Sequence, residues 1–151
     1  RQSLRAIIPT ILTQVIKNKK HIKLGNIKST RDFTFVDDTI QAFIKALKNN
    51  KCIGQTLNIG NSFEISVRDI VNEMSKISGK KIKIKLDKNR LRPKKSEVDR
   101  LFASNKKVKK ILKWKPKYNG LKGFKLALKE TYQWYKKEEN FQHFKTEIYN
   151  Q

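Results

Sequence analysis

Residues 25–47 read GNIKSTRDFTFVDDTIQAFIKAL, and this segment gives the clearest indication of the fold class. Gly25-Asn26 is a turn signal, and residues 31–36 alternate in the manner of a strand. Asp37-Asp38 is predicted to provide the N-cap of a helix. The apolar residues of that helix follow helical spacing and are predicted to face the core: Ile40, Phe43, Ile44 and Leu47. A strand that leads directly into a helix indicates an α/β protein.

Strand and helix signals continue to alternate on both sides of this stretch. Further helices are predicted at residues 4–17, 67–77, 105–112 and 121–138. The second of these has Ser66 as its cap and Gly79 beyond its end. Further strands are predicted at residues 21–24, 57–60 and 81–86, and residues 88–100 are predicted to form a polar loop. The pattern therefore predicts an α/β fold with a small mixed sheet and helices.

Positive charge is the most conspicuous feature of the composition. Among 151 residues, 36 Lys plus Arg stand against 13 Asp plus Glu, and the formal net charge is +23. The 29 Lys are dispersed and only 7 residues are Arg, whereas a nucleic-acid surface usually concentrates its charge on one face and uses Arg. Lys, Ile and Asn share A/T-rich codons and fill 58 positions, so genome composition explains much of the charge. A nucleic-acid partner is not favoured, but a basic nucleic-acid-binding module stays open as an alternative.

Several other site classes lack their sequence signals. No run of residues approaches the roughly 18 apolar positions that a bilayer span needs, so no membrane partner is expected. Cys52 is the only cysteine, which excludes an internal disulfide and fits a reducing, cytoplasmic compartment. His21 and His143 are far apart without ligand-like spacing, so no metal site is expected.

Two arginines lie in segments suited to phosphate chemistry. Arg31 follows the Gly25-Asn26 turn and leads a strand, although a surface ion pair with Asp32 or Asp37 is an alternative role. Arg92 precedes Pro93, which favours an extended backbone at Arg92. A planar guanidinium suits a diphosphate, and a carboxylate a few residues further on suits ribose hydroxyls.

Motifs for cofactor binding and catalysis are absent or weak. The chain has no Gly-x-Gly-x-x-Gly loop and no Walker loop, so no cofactor-binding residue is assigned. Two Tyr-x-x-x-Lys matches begin at Tyr118 and Tyr132, and this spacing can place a phenol beside an ammonium for proton transfer. Tyr118 precedes Asn119-Gly120, and Tyr132 belongs to an apolar helix stripe, so both are interpreted as structural. No catalytic residue is assigned in this chain.

Four segments, in this order, carry a resemblance to a known family. They are Gly25-Asn26-x4-Arg31-Asp32-Phe33-x-Phe35-Val36-x-Asp38, Leu57-Asn58-Ile59-Gly60, Arg92-Pro93-x3-Glu97-Val98 and Trp114-Lys115-Pro116. The chain resembles the C-terminal part of the extended short-chain dehydrogenase/reductase family, specifically its sugar-nucleotide 4,6-dehydratases and epimerases. Residues 1–9 look most similar to bacterial dehydratases acting on UDP- or GDP-N-acetylglucosamine, and the third segment is similar to GDP-mannose 4,6-dehydratase.

The resemblance implies a binding site for a nucleotide-diphosphate sugar. Arg31 and Arg92 match the diphosphate-binding arginines of the family, and Asn58 matches a polar residue at the diphosphate. Glu97 matches the carboxylate that holds the ribose. Further matches are Ile22 and Leu24, where the family packs the base, and Arg5, in a segment that closes over the substrate.

The resemblance also implies what surrounds this site. It predicts residues 1–140 as a substrate-binding region and residues 141–151 as a polar tail. The dinucleotide-binding Rossmann domain, the NAD or NADP it holds and the catalytic residues are expected upstream of Arg1, in a parent enzyme that is expected to be a homodimer. The segments matching residues 31–47 and 57–60 pack against that domain, so an exposed apolar patch is expected here. An epimerase fragment and a degenerate remnant with a scaffold role remain alternatives to a dehydratase.

Overall fold

The computed structural model of the chain describes residues 2–91, 93 and 96–144, and the predicted α/β class is confirmed. The helices are α1 (Ile7–Ile16), α2 (Val36–Leu47), α3 (Val67–Ser78), α4 (Lys106–Leu112), α5 (Gly120–Lys136) and α6 (Glu138–Phe141). The strands are β1 (His21–Leu24), β2 (Thr30–Asp32), β3 (Glu64–Ser66), β4 (Lys83–Leu86) and β5 (Arg100–Leu101). Short 3-10 turns lie at Asn50–Cys52 and Lys88–Arg90.

The chain divides into two compact units. The first unit consists of residues 1–29, 66–97 and 128–151, and the second of residues 30–65 and 98–127. The chain passes from one unit to the other four times, after residues 29, 65, 97 and 127. Each unit therefore draws its residues from separated parts of the sequence.

The first unit is built around a parallel pair of strands. β1 and β4 pair in register from His21 opposite Lys83 to Leu24 opposite Leu86. Helix α1 contacts β1 and α3, and the buried residues of these elements include Ile11, Leu12, Val15, Ile22, Leu24, Ile70, Val71 and Met74. The Nζ atom of Lys80 donates to the carbonyl of Val15 (3.1 Å) and to Oδ1 of Asn18, so the last turn of α1 gains a donor.

The boundaries of α3 are set by the two residues that the sequence indicates. The hydroxyl of Ser66 accepts a hydrogen bond from the backbone N–H of Asp69 (3.1 Å), which confirms the predicted cap. Gly79 follows the helix with φ +68°, a left-handed conformation that glycine adopts at little cost. The helix buries one side against its unit, where Ile70 and Met74 are fully enclosed.

The second unit combines a three-stranded sheet with helices. Its strand order is β3-β2-β5, and β2 pairs with β5 in parallel, with Arg31 opposite Leu101. The apolar core comprises Ala42 of α2, Val108 and Leu112 of α4, and Trp114 after it. Leu57 and Ile59 pack against this core but are not in a strand, so the strand prediction for residues 57–60 was wrong.

Side chains take the place of strand partners at Gly60, Asn61 and Ser62. The carbonyl of Gly60 accepts from Nδ2 of Asn105 (2.9 Å). The backbone N–H groups of Asn61 and Ser62 donate to the carboxylate of Asp32 (2.9 and 2.8 Å). Because these backbone groups are satisfied by side chains, this segment needs no neighbouring strand.

Asp38 does not have the capping role that the sequence predicted. Helix α2 begins at Val36, with Phe35 at the N-cap and no side-chain cap. Asp38 is instead buried, and its carboxylate accepts from the backbone N–H of Lys117 (2.6 Å) and of Tyr118 (3.0 Å). Its carbonyl accepts from Nε1 of Trp114 (3.1 Å). Asp38 therefore holds residues 114–118 against α2.

The apolar stripe of α2 points away from the core of its unit, which corrects the predicted orientation. The helix buries Asp38 and Ala42 instead, because these residues meet Trp114 and the segment after it. The stripe on the other side is exposed, with relative exposure between 38% and 86%, and we call it the α2 apolar face: Val36, Ile40, Phe43, Ile44 and Leu47. The exposed apolar patch expected from the family resemblance is confirmed.

Hydropathy gives no sign of a membrane span in the part of the chain that is described. The longest helix there, α5, has 17 residues, and its apolar side chains alternate with Lys. No described helix has both the length and the hydropathy that crossing a bilayer requires.

We predict that Asp38→Ala strongly destabilises the protein. The substitution leaves the N–H groups of Lys117 and Tyr118 without their acceptor, and the free energy of unfolding should fall by about 3 kcal/mol. Urea unfolding followed by circular dichroism measures the change. Asp37→Ala is the matched control, because Asp37 is the exposed neighbour. Equal losses in the two variants would contradict the role of the buried carboxylate.

Candidate functional site

The predicted site residues fall into both units. Arg31 and Asn58 belong to the second unit, and Arg5, Ile22, Leu24 and Glu97 belong to the first. Arg92 lies outside the described residues, so its predicted role is an expectation from the sequence only.

Arg31 lies in the middle of β2, the central strand of its sheet. Its Nη1 atom donates to the carbonyl of Thr30 (2.7 Å) and, at a longer distance, to the carbonyl of Asp99 (3.4 Å). In the described part of the chain Nε and Nη2 have no acceptor, and Arg31 forms no ion pair with Asp32 or Asp37. Most of the guanidinium is therefore available to an anion.

Asp32 lies next to the candidate residue Arg31 and organises the surrounding backbone, a role that sequence reasoning did not identify. Its Oδ1 atom accepts from Asn61 N (2.9 Å), and Oδ2 accepts from Ser62 N (2.8 Å) and Ala103 N (3.3 Å). Gly60 is required beside it, because a Cβ at this position would collide with the Cβ of Ala103. Asp32 thus connects the strand that carries Arg31 to two segments distant in sequence. An aspartate beside an arginine was the only available signal, and it suggested an ion pair.

Asn58 is exposed on the segment that Asp32 supports. The segment is also held by Asn105, whose backbone N–H donates to the hydroxyl of Ser62 (3.0 Å) and whose side chain donates to the carbonyl of Gly60. Asn58 and Arg31 therefore belong to one hydrogen-bonded unit. The assignment of Asn58 to a diphosphate stays a prediction.

A charged cluster crosses the three strands of the same sheet. Arg100 on β5 binds Glu64 on β3 through Nε (2.8 and 2.9 Å) and Nη2 (2.6 Å), and the hydroxyl of Thr30 on β2 donates to the same carboxylate (2.6 Å). The guanidinium also lies over the ring of Phe102, 5.1 Å from its centroid. The hydrogen bonds from Arg100 and Thr30 lower the pKa of Glu64, and Glu64 raises the pKa of Arg100. The charge of Arg100 is thus paired with a carboxylate, whereas Arg31 bonds only to backbone carbonyls among the described residues.

Ile22 and Leu24 are core residues of the first unit. They face the same side of β1 and are 0% and 1% exposed. Their side chains are therefore enclosed by the protein itself, and their contact with a nucleotide base stays a prediction. Arg5 precedes α1 and is exposed, and its backbone N–H donates to the hydroxyl of Ser3 (3.2 Å).

Glu97 meets the turn that follows β1. The Nδ2 atom of Asn26 donates to Oε1 of Glu97 (3.3 Å), although the two residues are 71 positions apart. The backbone of Gly25 lies so close to the carbonyl of Arg90 that a Cβ could not fit between them. The turn at residues 25–26, the turn at Lys88–Arg90 and Glu97 thus form one local arrangement. Sequence reasoning identified Glu97 but not its partner Asn26.

The two Tyr-x-x-x-Lys matches are structural features here. Tyr118 and Tyr132 are both buried, and the ring of Tyr118 packs against Phe35 with centroids 4.4 Å apart. Lys136 lies over the ring of Tyr132, 5.8 Å from its centroid. Burial of both rings fits the structural interpretation of the two motifs.

The chain is similar in sequence to known proteins over most of its length. A family model described as GDP-mannose 4,6 dehydratase matches residues 1–126. The human dTDP-D-glucose 4,6-dehydratase is 28% identical over 144 residues, which cover 92% of this chain and 38% of the human protein. The UDP-glucuronate 4-epimerase of Thermodesulfobacterium geofontis is 32% identical over 124 residues, which cover 80% of this chain and 35% of that protein. The chain thus spans less than half the length of these relatives.

Two solved structures are also similar to this chain over most of its length. The dTDP-glucose 4,6-dehydratase of Bacillus anthracis, a crystal structure in complex with NAD, matches 93% of this chain and 42% of its own chain, with a TM-score of 0.74 and 28% identity. The UDP-glucuronic acid 4-epimerase of Bacillus cereus, in complex with UDP-glucuronic acid and NAD, matches 88% of this chain and 40% of its own, with a TM-score of 0.75 and 27% identity.

We predict that Glu64→Gln changes the acid sensitivity of the protein. Because the folded protein lowers the pKa of Glu64, the ionised carboxylate stabilises the fold above its ordinary value of 4.5, and this contribution is lost as the pH falls through the lowered value. The difference in free energy of unfolding between wild type and variant should therefore be largest near neutral pH and shrink in acid.

Urea unfolding at a series of pH values measures this difference. Glu139→Gln is the control, because Glu139 is an exposed glutamate of the other unit. A wild-type advantage that stays constant from neutral pH to about pH 3 would contradict the stabilising contact between Glu64 and Arg100.

Proposed function

Because the chain belongs to the GDP-mannose 4,6-dehydratase family of extended short-chain dehydrogenases/reductases, we propose that it binds the nucleotide-diphosphate sugar of a 4,6-dehydratase. The parent activity would supply modified nucleotide sugars, and we propose bacterial surface polysaccharides as the product class. A lone cysteine and a nucleotide-linked substrate support a cytoplasmic enzyme. A homodimeric parent stays a prediction.

The availability of the Arg31 guanidinium carries this proposal. Its Nη1 atom is anchored on backbone carbonyls, which fixes the direction of the planar group. Nε and Nη2 then present parallel N–H donors, and this geometry matches two oxygens of a phosphate. The hydrogen bonds that Asp32 accepts from residues 61, 62 and 103 hold the neighbouring backbone in place. We assign Arg92 to the same diphosphate on its sequence alone.

The residues of this chain do not fit the nicotinamide cofactor of the family. A dinucleotide needs a glycine-rich turn that opens a helix, and the six glycines of the chain form no such motif. We therefore derive no step of the reaction through the cofactor and assign no catalytic residue here. The chemistry of this chain is binding and orientation of substrate.

The α2 apolar face is the proposed contact with the dinucleotide-binding part of the enzyme. The chain spans 38% of the human dehydratase and 42% of the Bacillus anthracis dehydratase, so most of each enzyme has no counterpart in this chain. A continuous stripe of five large apolar side chains on one helix is costly to expose to water. Cover by another part of the same enzyme removes this cost.

An epimerase is the second candidate, because the similarity to UDP-sugar 4-epimerases is comparable to that to the dehydratases. Both activities need the same grip on a nucleoside diphosphate, and they differ in what happens to the sugar. Product analysis of the protein as its gene encodes it separates them: a dehydratase releases water and forms a 4-keto-6-deoxy sugar, whereas an epimerase changes only the configuration at a carbon.

We predict that Arg31→Ala weakens the binding of UDP or GDP. Loss of a charge-assisted contact to the diphosphate should cost about 1.5–3 kcal/mol, which is roughly 10- to 150-fold in affinity. Calorimetry on the protein as its gene encodes it measures the affinity, with Arg68→Ala as the control, since Arg68 is an exposed arginine on α3. Unchanged affinity after Arg31→Ala would refute the diphosphate site.

We also predict that the 151-residue chain on its own binds a hydrophobic dye and self-associates. Phe43→Gln with Leu47→Gln should reduce both effects, because the two side chains are 65% and 86% exposed on the α2 apolar face. Leu86→Gln is the control, since Leu86 is 65% exposed in the other unit. A chain that stays monomeric, binds no dye and unfolds sharply would show that the face needs no cover.

A further inference from the structure

Both the oxygen and the nitrogen of the Asn26 side-chain amide form hydrogen bonds. Its Oδ1 atom accepts a hydrogen bond from the backbone N–H of Lys28 (2.9 Å). Because a backbone N–H can only donate, this bond determines which end of the amide is the oxygen. The other end, Nδ2, is thereby directed to Oε1 of Glu97 (3.3 Å). The orientation of Asn26 thus follows from its own turn and does not depend on Glu97.

The backbone on both sides brings these two residues together. The backbone N–H of Asp87 donates to the carbonyl of Leu24 (2.8 Å), and Gly25 allows the carbonyl of Arg90 to approach. On the other side, the backbone N–H of Glu97 donates to the carbonyl of Pro93 (3.1 Å). This hydrogen bond holds the backbone of Glu97, and the half-buried carboxylate of Glu97 meets the side chain of Asn26.

The nature of the donor decides what the carboxylate can do. Among the described residues, the amide of Asn26 is the hydrogen-bond partner of this carboxylate, and it occupies only Oε1. A neutral amide orients a carboxylate and leaves its negative charge in place, whereas a lysine or arginine partner would neutralise that charge. Oε2 is left as an anionic acceptor, and an anionic acceptor binds hydroxyl donors more strongly than a neutral one.

We propose that Asn26 is a positioning residue that holds Glu97 so that its carboxylate accepts hydrogen bonds from the vicinal hydroxyls of a ribose. The inference rests on the proposed function, because it requires that the chain binds a nucleoside diphosphate. It adds a residue that the family resemblance does not assign and a reason for the Gly25-Asn26 turn. Asn26 itself does not touch the nucleotide.

The test compares a ribonucleotide with its analogue that lacks both hydroxyls. Affinities for UDP and for 2′,3′-dideoxy-UDP, and for the corresponding guanosine pair, are measured by calorimetry on the protein as its gene encodes it. Asn26→Ser is the informative variant, because a serine hydroxyl can still accept from Lys28 N but is too short to reach Glu97. Asn89→Ser is the matched control, since Asn89 is exposed in the same unit.

The expected result is a loss that depends on the ribose. Asn26→Ser should lower the affinity for the ribonucleotide about fivefold, the size of one net hydrogen bond, and leave the dideoxy analogue unchanged. Glu97→Gln should show the same dependence with a larger loss. The double variant should bind no more weakly than Glu97→Gln alone, because Asn26 acts through Glu97.

Two kinds of outcome overturn the inference, and they are distinguishable. If Asn26→Ser weakens both nucleotides equally or neither, while Arg31→Ala still weakens both, the positioning role is wrong and the diphosphate site stands. If the wild-type protein binds neither nucleotide, the proposed function fails and the inference fails with it. A merely structural role for Asn26 would produce the equal loss.

Discussion

The carboxylate of Asp38 is the contact on which the second unit depends. It accepts two backbone N–H groups from the segment after α4, and the carbonyl of the same residue accepts the indole N–H of Trp114. One residue near the start of α2 thus determines where Trp114 is placed, and Trp114 is the largest side chain in that core. A charged group is costly to bury unless its lone pairs are occupied, and here several donors occupy them.

The same device recurs at the proposed diphosphate site. Asp32 accepts three backbone N–H groups, and Asn105 and Ser62 complete the network. These bonds hold segments that belong to no strand, and so a binding surface is built from loops with little regular structure. Arg31 benefits from this support because it lies next to Asp32 on β2. Its own contacts are to backbone carbonyls, which leaves its charge for a ligand.

The placement of α2 follows from a competition between its two faces. The buried side of α2 carries Asp38 and Ala42, which are smaller than the residues of the apolar face. This side is buried because hydrogen bonds to the 114–118 segment and the packing of Trp114 favour it. The α2 apolar face remains outside the unit. This arrangement is expected for a helix whose apolar side meets another part of an enzyme. The net charge of +23 says less about function than these contacts do, because most of the basic residues are dispersed lysines.

Local signals predicted most of the regular elements, whereas the roles of the site residues stay predictions. Ser66, Gly79 and the buried stripe of α3 were readable because helix spacing and caps involve neighbours within a few residues. The strand predicted at residues 57–60 was wrong, and the backbone at Gly60, Asn61 and Ser62 is held by the side chains of Asn105 and Asp32, which no local pattern reveals. Arg31 and Glu97 were found through a resemblance, whereas Asp32 and Asn26 were not found as organisers.

Composition and spacing were enough to predict the α/β class, the order of the helices and most of their bounds, whereas the residues for a nucleoside diphosphate are implied by a family resemblance. The exposed face of α2, the carboxylates that are buried as acceptors and the free donors of Arg31 became visible only in the folded chain. The reason is that the partners of Asp38 and Asn26 lie 79 and 71 positions away. A side chain's role at that range depends on how the chain packs, which local sequence does not specify.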